Sequence, residues 1–108
     1  MYARMTVAQV QPERFDEAVT AVQDAFVPAA REQPGYRGFL LLTERDQQRL
    51  VGISFWETEA ELQSSGGASG YYQQRIAEFA DLVTAPPTIT VHEVACLLYT
   101  SPSPRDRG

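Results

Sequence analysis

Apolar side chains recur at every second position in four stretches of the chain, and at every third or fourth position in two others. The first alternation, Ala3, Met5 and Val7 against Arg4 and Thr6, predicts a strand over 2–10. Gln11-Pro12 then opens a helix, because a proline in the first turn surrenders an N–H that has no intrahelical partner there. Glu13, Asp16 and Glu17 suit the positive end of that helix, and Phe15, Val19, Val22 and Phe26 form its apolar face. Pro28 falls inside the pattern and should kink the helix by freeing the carbonyl of Asp24; Pro34-Gly35 ends it. A second strand is predicted over 39–43 and a polar hairpin loop over Glu44 to Gln48. In the third strand Val51, Ile53 and Phe55 alternate with Leu50, Gly52, Ser54 and Trp56.

That third strand runs directly into a helix start. Thr58 and Glu61 make a T-x-x-E capping box, which satisfies N–H groups of the first turn, so Trp56 stands on a rigid corner between strand and helix. A ring held there is a candidate wall for a pocket between the two layers. The helix from Glu59 meets Ser64-Ser65-Gly66-Gly67-Ala68-Ser69-Gly70, which predicts a break. It resumes from Tyr71 to Val83 with Tyr72, Ile76, Phe79 and Val83 as its buried stripe, and Pro86-Pro87 stops it before a fourth strand over 88–94. The order strand, helix, strand, strand, helix, strand predicts an α+β fold of the ferredoxin-like βαββαβ type, an antiparallel sheet with both helices on one face. The other face is apolar in either register and cannot all be left in water; a homodimer packing sheet on sheet would cover it.

Cys96 to Asp106 resembles the in-frame translation of a transposase-type sequencing adaptor, so residues 1–95 are expected to be the domain and 96–108 a non-native disordered tail. Without that tail, which holds two of the nine Arg and one of the fourteen Asp plus Glu, seven Arg face thirteen acids, a formal charge of −6. An acidic surface with no basic stripe argues against nucleic acid and against an anionic membrane surface. With its one cysteine in the tail, the domain has no disulfide framework, thiolate metal site or thiol nucleophile. No apolar run approaches a membrane span, and Met1-Tyr2-Ala3-Arg4-Met5 lacks the apolar core of a signal peptide, so the cytoplasm is expected. A domain of this size buries only ~60 to 65% of its unfolded surface, which again favours dimerisation.

The element order, the Pro34-Gly35-Tyr36-Arg37-Gly38-Phe39 entry to the second strand, and Ser54-Phe55-Trp56-Glu57-Thr58 before an acidic helix carry a family resemblance. The chain resembles the antibiotic biosynthesis monooxygenase family, small dimeric α+β barrel proteins. The resemblance implies a pocket for a small aromatic or polyketide-like compound and oxidation of phenols or hydroquinones by O2 without a cofactor. Two departures stand out. Gly52 occupies the position where polyketide-type members keep a pocket Asn, and no histidine lies between Glu59 and Val83, which argues against the haem-degrading branch.

The candidate residues each have two readings. Trp56 either stacks on an aromatic substrate or seals the corner as core. His92, the only histidine, is a candidate general base for a phenolic proton or a structural strand residue. Tyr71 and Tyr72 follow the glycine-rich break and are candidate substrate contacts, with Tyr72 also in phase with the core stripe. Tyr36 is a candidate pocket residue or part of a turn. Glu57, Glu59 and Glu61 are accounted for by the helix start rather than by a metal, and none is expected. The function expected is cofactor-independent oxygenation of a small phenolic, hydroquinone or polyketide-like compound. The alternative is a non-catalytic dimeric module that binds a small molecule or partner.

Overall fold

The alternating stretches become four antiparallel strands, β1 (Tyr2–Gln9), β2 (Tyr36–Glu44), β3 (Arg49–Trp56) and β4 (Thr88–Glu93), ordered β2-β3-β1-β4 across the sheet. The computed structural model describes residues 1–66 and 71–97. The ferredoxin-like α+β arrangement is therefore as expected, with β1 and β3 central and β2 and β4 at the edges. Arg45 to Gln47 form a 3-10 turn in the β2-β3 hairpin, which Gln48 closes in the left-handed conformation at φ 54°.

The first helical stretch is divided. A 3-10 turn at Pro12–Arg14 leads into α1 (Phe15–Ala21), a π-helical segment (Val22–Phe26) and α2 (Val27–Arg31). The π segment lies immediately before Pro28, whose missing N–H cannot bond to Asp24. The wider i to i−5 pattern, seen where the Val27 N–H reaches the Val22 carbonyl, is how the chain carries that proline without ending. The second stretch comprises α3 (Glu59–Ser65) and α4 (Tyr71–Phe79), followed by a 3-10 turn at Ala80–Leu82. Val83, expected on the helix stripe, is instead extended and bridges to Val10. The strand preference of a β-branched residue beside an available partner outweighs the helical phase.

The Thr58 half of the predicted box is present at α3, where the Glu61 N–H donates to Thr58 Oγ1 at 3.1 Å; the Glu61 carboxylate accepts from the Thr58 hydroxyl rather than from the backbone N–H the box calls for. Gly35, at φ 82°, ties the entry of β2 to the same corner, accepting from the Glu57 N–H at 2.8 Å; a side chain there would collide with Glu61.

One core lies between the helices and one face of the sheet. Trp56, Leu62 and Val10 are its largest fully buried side chains, joined by Phe15, Phe26, Leu50, Phe79 and Leu82. The Phe26 and Phe79 rings meet edge to face at 6.1 Å, which binds α4 to the π segment. Among the described residues no helix is long and apolar enough to cross a membrane. Cys96 and Leu97 are exposed and follow the last strand; the rest of the proposed tail, and the break over 67–70, lie outside the described residues.

Candidate ligand-binding site

Antiparallel register arranges the helix-side face of the sheet in cross-strand rows. Tyr2 and Trp56 form the first, beside Tyr36. Val91, Arg4, Ser54 and Phe39 form the second, and Ile89, Thr6, Gly52 and Leu41 the third. Ala8 and Leu50 continue into a fourth. Since rows on one face are two residues apart, the second to fourth rows span about 13 Å along the strands.

The second to fourth rows are the floor of a small cavity, open at its mouth, in which the centre of a water-sized sphere can move through about 40 Å³. Val22 and Phe26 of the π segment and Ile76 and Phe79 of α4 form its roof, with Pro87 at the side. Polarity falls along the floor. Arg4 and Ser54 stand opposite one another at one end, Thr6 follows, and Ala8 with Leu50 closes an apolar end.

The polar end is firmly built. Arg4 is buried at 3% exposure, donates to the Leu62 carbonyl at 2.6 Å and to Ser65 Oγ at 2.7 Å, and places its guanidinium 5.8 Å from the Trp56 ring centre. Ser65 Oγ in turn donates to the Leu62 carbonyl at 2.7 Å. The carbonyl end of α3 is thereby matched by a cation, the favourable sign for a helix C-terminus. Trp56 Nε1 donates to Ser54 Oγ at 2.8 Å, so the one buried indole N–H is satisfied.

Gly52 also acquires a local explanation. A Cβ on it would lie 3.1 Å from Cζ of Phe39, because that ring crosses over the glycine. The space that a pocket Asn would use is filled by an aromatic ring from β2.

The candidate residues are distributed unevenly. Trp56 is fully buried behind Arg4 and Ser54 and backs the cavity rather than lining it. Tyr36 packs edge to face on Trp56 at 6.0 Å, one step further from the floor. Tyr71 and Tyr72 open α4, the helix that brings Ile76 and Phe79 to the roof; their side chains lie outside the described residues. His92 is not brought to this cavity. Its register partner is Ala3, on the opposite face of the sheet, where it is exposed and 2.8 Å from Thr90 Oγ1. Among the described residues no group of three or more His, Cys, Asp or Glu is placed to hold a metal ion.

Arg4, Ser54 and Phe39 were not singled out by sequence reasoning. An isolated Arg or Ser within a strand carries no motif, although an arginine at a helix-facing strand position is itself a signal, since such residues are seldom buried without partners.

The antibiotic biosynthesis monooxygenase family model matches residues 1–75. The chain resembles a monooxygenase from the gene ActVA-Orf6 of Streptomyces coelicolor, solved in complex with nanaomycin D, with TM-score 0.74 at 17% identity over 92% of each chain. It also resembles Rv0793 of Mycobacterium tuberculosis, with TM-score 0.67 at 25% identity over 93% of this chain and 98% of that one. The uncharacterized protein Rv2557 of M. tuberculosis is 30% identical over 97 residues, which cover 90% of this chain and 42% of that protein. The chain thus spans less than half the length of the curated relatives it matches. With the fold, the cavity and the family match in agreement, the chain belongs to the antibiotic biosynthesis monooxygenase family.

Proposed function

We propose that the cavity binds a small phenolic or polyketide-like aromatic compound and that the protein oxygenates it with O2 and no cofactor. The observation that carries this reading is the cavity itself, an aromatic and aliphatic chamber between sheet and helices with polar groups confined to one end. A monooxygenase of the same fold, crystallised with nanaomycin D, adds support by likeness. In the reaction, a phenol C–H para to the hydroxyl is replaced by oxygen. One atom of O2 enters the ring as the quinone carbonyl, the other leaves as water with the C–H and O–H hydrogens, and the four electrons come from the ring. The aromatic roof and floor hold the ring and exclude solvent, while Trp56 fixes the wall from behind.

The second reading is a binding module without catalysis. It draws on the described lining, in which Arg4, Thr6 and Ser54 are the polar groups and none is an imidazole or a carboxylate to serve as general base. His92 would reach a ligand only on the other face of the sheet.

The same proposal includes a homodimer. Leu40, Leu42, Val51, Ile53, Phe55, Met5 and Val7 form a continuous apolar block on the open face, with Leu40 46% and Leu42 43% exposed. A second copy, presenting the same block, is the occupant that matches it.

Oxygen uptake by the full chain with a panel of para-unsubstituted phenols and naphthols and of anthrone-like phenols tests the reaction. Uptake above the protein-free control is expected for at least one compound. Uptake equal to the control throughout, with quenching of Trp56 fluorescence by the same compounds, would replace the oxygenase by the binding module.

A further inference from the structure

We infer that Phe39 sets the size of the ligand: its ring fills the middle of the cavity floor, so the site as built holds one aromatic ring, and residue 39 is the specificity-determining position. The inference rests on the cavity being a ligand site, as proposed above, and narrows the proposed compounds to those with a single ring.

Phe39 faces Ser54 across the β2-β3 ladder, yet its ring leans over the next row. A Cβ on Gly52 would lie 3.1 Å from Phe39 Cζ and 3.8 and 3.9 Å from Cε1 and Cε2, so the far edge of the ring rests on the glycine. Diagonal cross-strand neighbours are within reach of an aromatic side chain, and a glycine in a strand leaves a gap that such a ring covers. A larger residue at 52 would claim that volume; Gly52 leaves it to Phe39.

The ring is on this face because β2 carries a bulge. The register shifts between Tyr36 and Gly38, so Tyr36 opposite Trp56 and Phe39 opposite Ser54 share the helix side although they are three residues apart. Unbroken alternation would put them on opposite faces. The extra residue, Arg37, is exposed and pairs with Glu57 at 3.1 Å.

What remains free is small. The 40 Å³ open to the centre of a water-sized sphere is well short of the roughly 150 Å³ of an apolar cavity that holds benzene. A bound ring must therefore extend into the open mouth, and the volume a second ring would need is the one Phe39 fills. The rest of the lining yields less readily: Val22, Phe26, Leu50 and Phe79 are buried, and the Phe26 and Phe79 rings meet edge to face. Phe39 is only partly buried and stands on an edge strand. Replacing it by alanine vacates the space of one benzene ring and leaves the helix roof in place.

Isothermal titration calorimetry of the full chain with phenol and with 2-naphthol, under nitrogen so that binding is read without oxidation, tests the size limit. Burial of a second ring would ordinarily favour the naphthol by about tenfold or more. The wild type is expected to lack that gain and to bind phenol at least as tightly as 2-naphthol. Phe39→Ala should raise the preference for 2-naphthol about tenfold, and Phe39→Leu should raise it in part. Phe39→Ala combined with Gly52→Leu, which refills the space from β3, should return the preference to the wild-type value. A wild type that favours 2-naphthol about tenfold, or an unchanged preference in Phe39→Ala, would overturn the inference and leave the cavity reading standing. Absence of binding of both compounds by the wild type and by Phe39→Ala alike would overturn the cavity reading and the inference together. If Phe39→Ala does not fold by circular dichroism, Phe39→Leu decides in its place: an unchanged preference there overturns the inference.

Discussion

The two faces of the sheet are drawn from the same alternating strands and meet opposite surroundings. On the helix side the rows include Arg4, Ser54 and Trp56, all nearly or fully buried, and a chain of hydrogen bonds through Ser65 to α3. On the open side the rows are Leu40, Leu42, Ile53 and Phe55, more apolar in composition yet partly exposed. Two polar residues of the sheet, Arg4 and Ser54, are therefore buried on the helix side, while Leu40 and Leu42 on the open side are exposed. The inside can hold an arginine because α3 offers a carbonyl and a hydroxyl at hydrogen-bond distance. On the outside Leu40 and Leu42 stay exposed in the described chain, and the proposed second copy would cover them.

The largest test of this contrast compares two neighbours on β3. Trp56→Ala removes a fully buried indole and the ring beneath Arg4, and is expected to cost about 3–5 kcal/mol in urea or thermal unfolding. Phe55→Ala, one residue earlier and on the other face, should show a loss that depends on protein concentration, because in the proposed dimer a second copy would bury it. A concentration-independent loss of equal size for both would show that the faces are equivalent in the monomer.

Leu42→Asp sharpens the open face. The expected effect is a loss of about 2 kcal/mol per copy from dimer association, seen as a shift from dimer to monomer in sedimentation with the monomer still folded. A wild type that sediments only as monomer at micromolar concentration would remove the dimer proposal.

On the cavity side, Gly52→Ala places a methyl 3.1 Å from the Phe39 ring and is expected to cost about 1–2 kcal/mol. Phe39→Leu should relieve the clash, so the double variant should lose less than the two single ones together. Additive losses would mean that Phe39 and Gly52 do not share that space.

The element order, the Thr58 cap and the Trp56 corner were legible because each rests on local periodicity or short-range chemistry. The cavity was less so. Its polar end arises from strand register, which sets Arg4 beside Ser54 across 50 residues of chain, and its roof from a π segment whose wider pitch depends on Pro28. Parity along a strand determines which residues share a face, but a lone His92 says nothing of which face is covered. Only the pairing with Ala3 sets it on the open side. The Gly52 departure was visible as a missing side chain, while the Phe39 ring that fills its place is on another strand.

The smallest expected effect contrasts two arginines within the helix-side half of the molecule. Arg14 makes its ion pair with Glu17 at 2.9 Å on the solvent side of the helices, where Arg4 is buried beneath them. The hydrogen bond from Arg14 holds the Glu17 carboxyl below its ordinary range, against a slight opposing effect of burial and with help from the arginine charge. A depressed carboxyl stabilises the folded chain above its unfolded pKa, and that contribution is lost as pH falls through the folded one. Exposure of the pair to solvent keeps it small. Arg14→Gln should return Glu17 to the ordinary carboxylate range in an NMR titration, whereas Arg4→Met, on the other side of the helices, should leave the Glu17 titration unaltered. A Glu17 titration that does not move in Arg14→Gln would mean that the hydrogen bond from Arg14 is not what holds the carboxyl down.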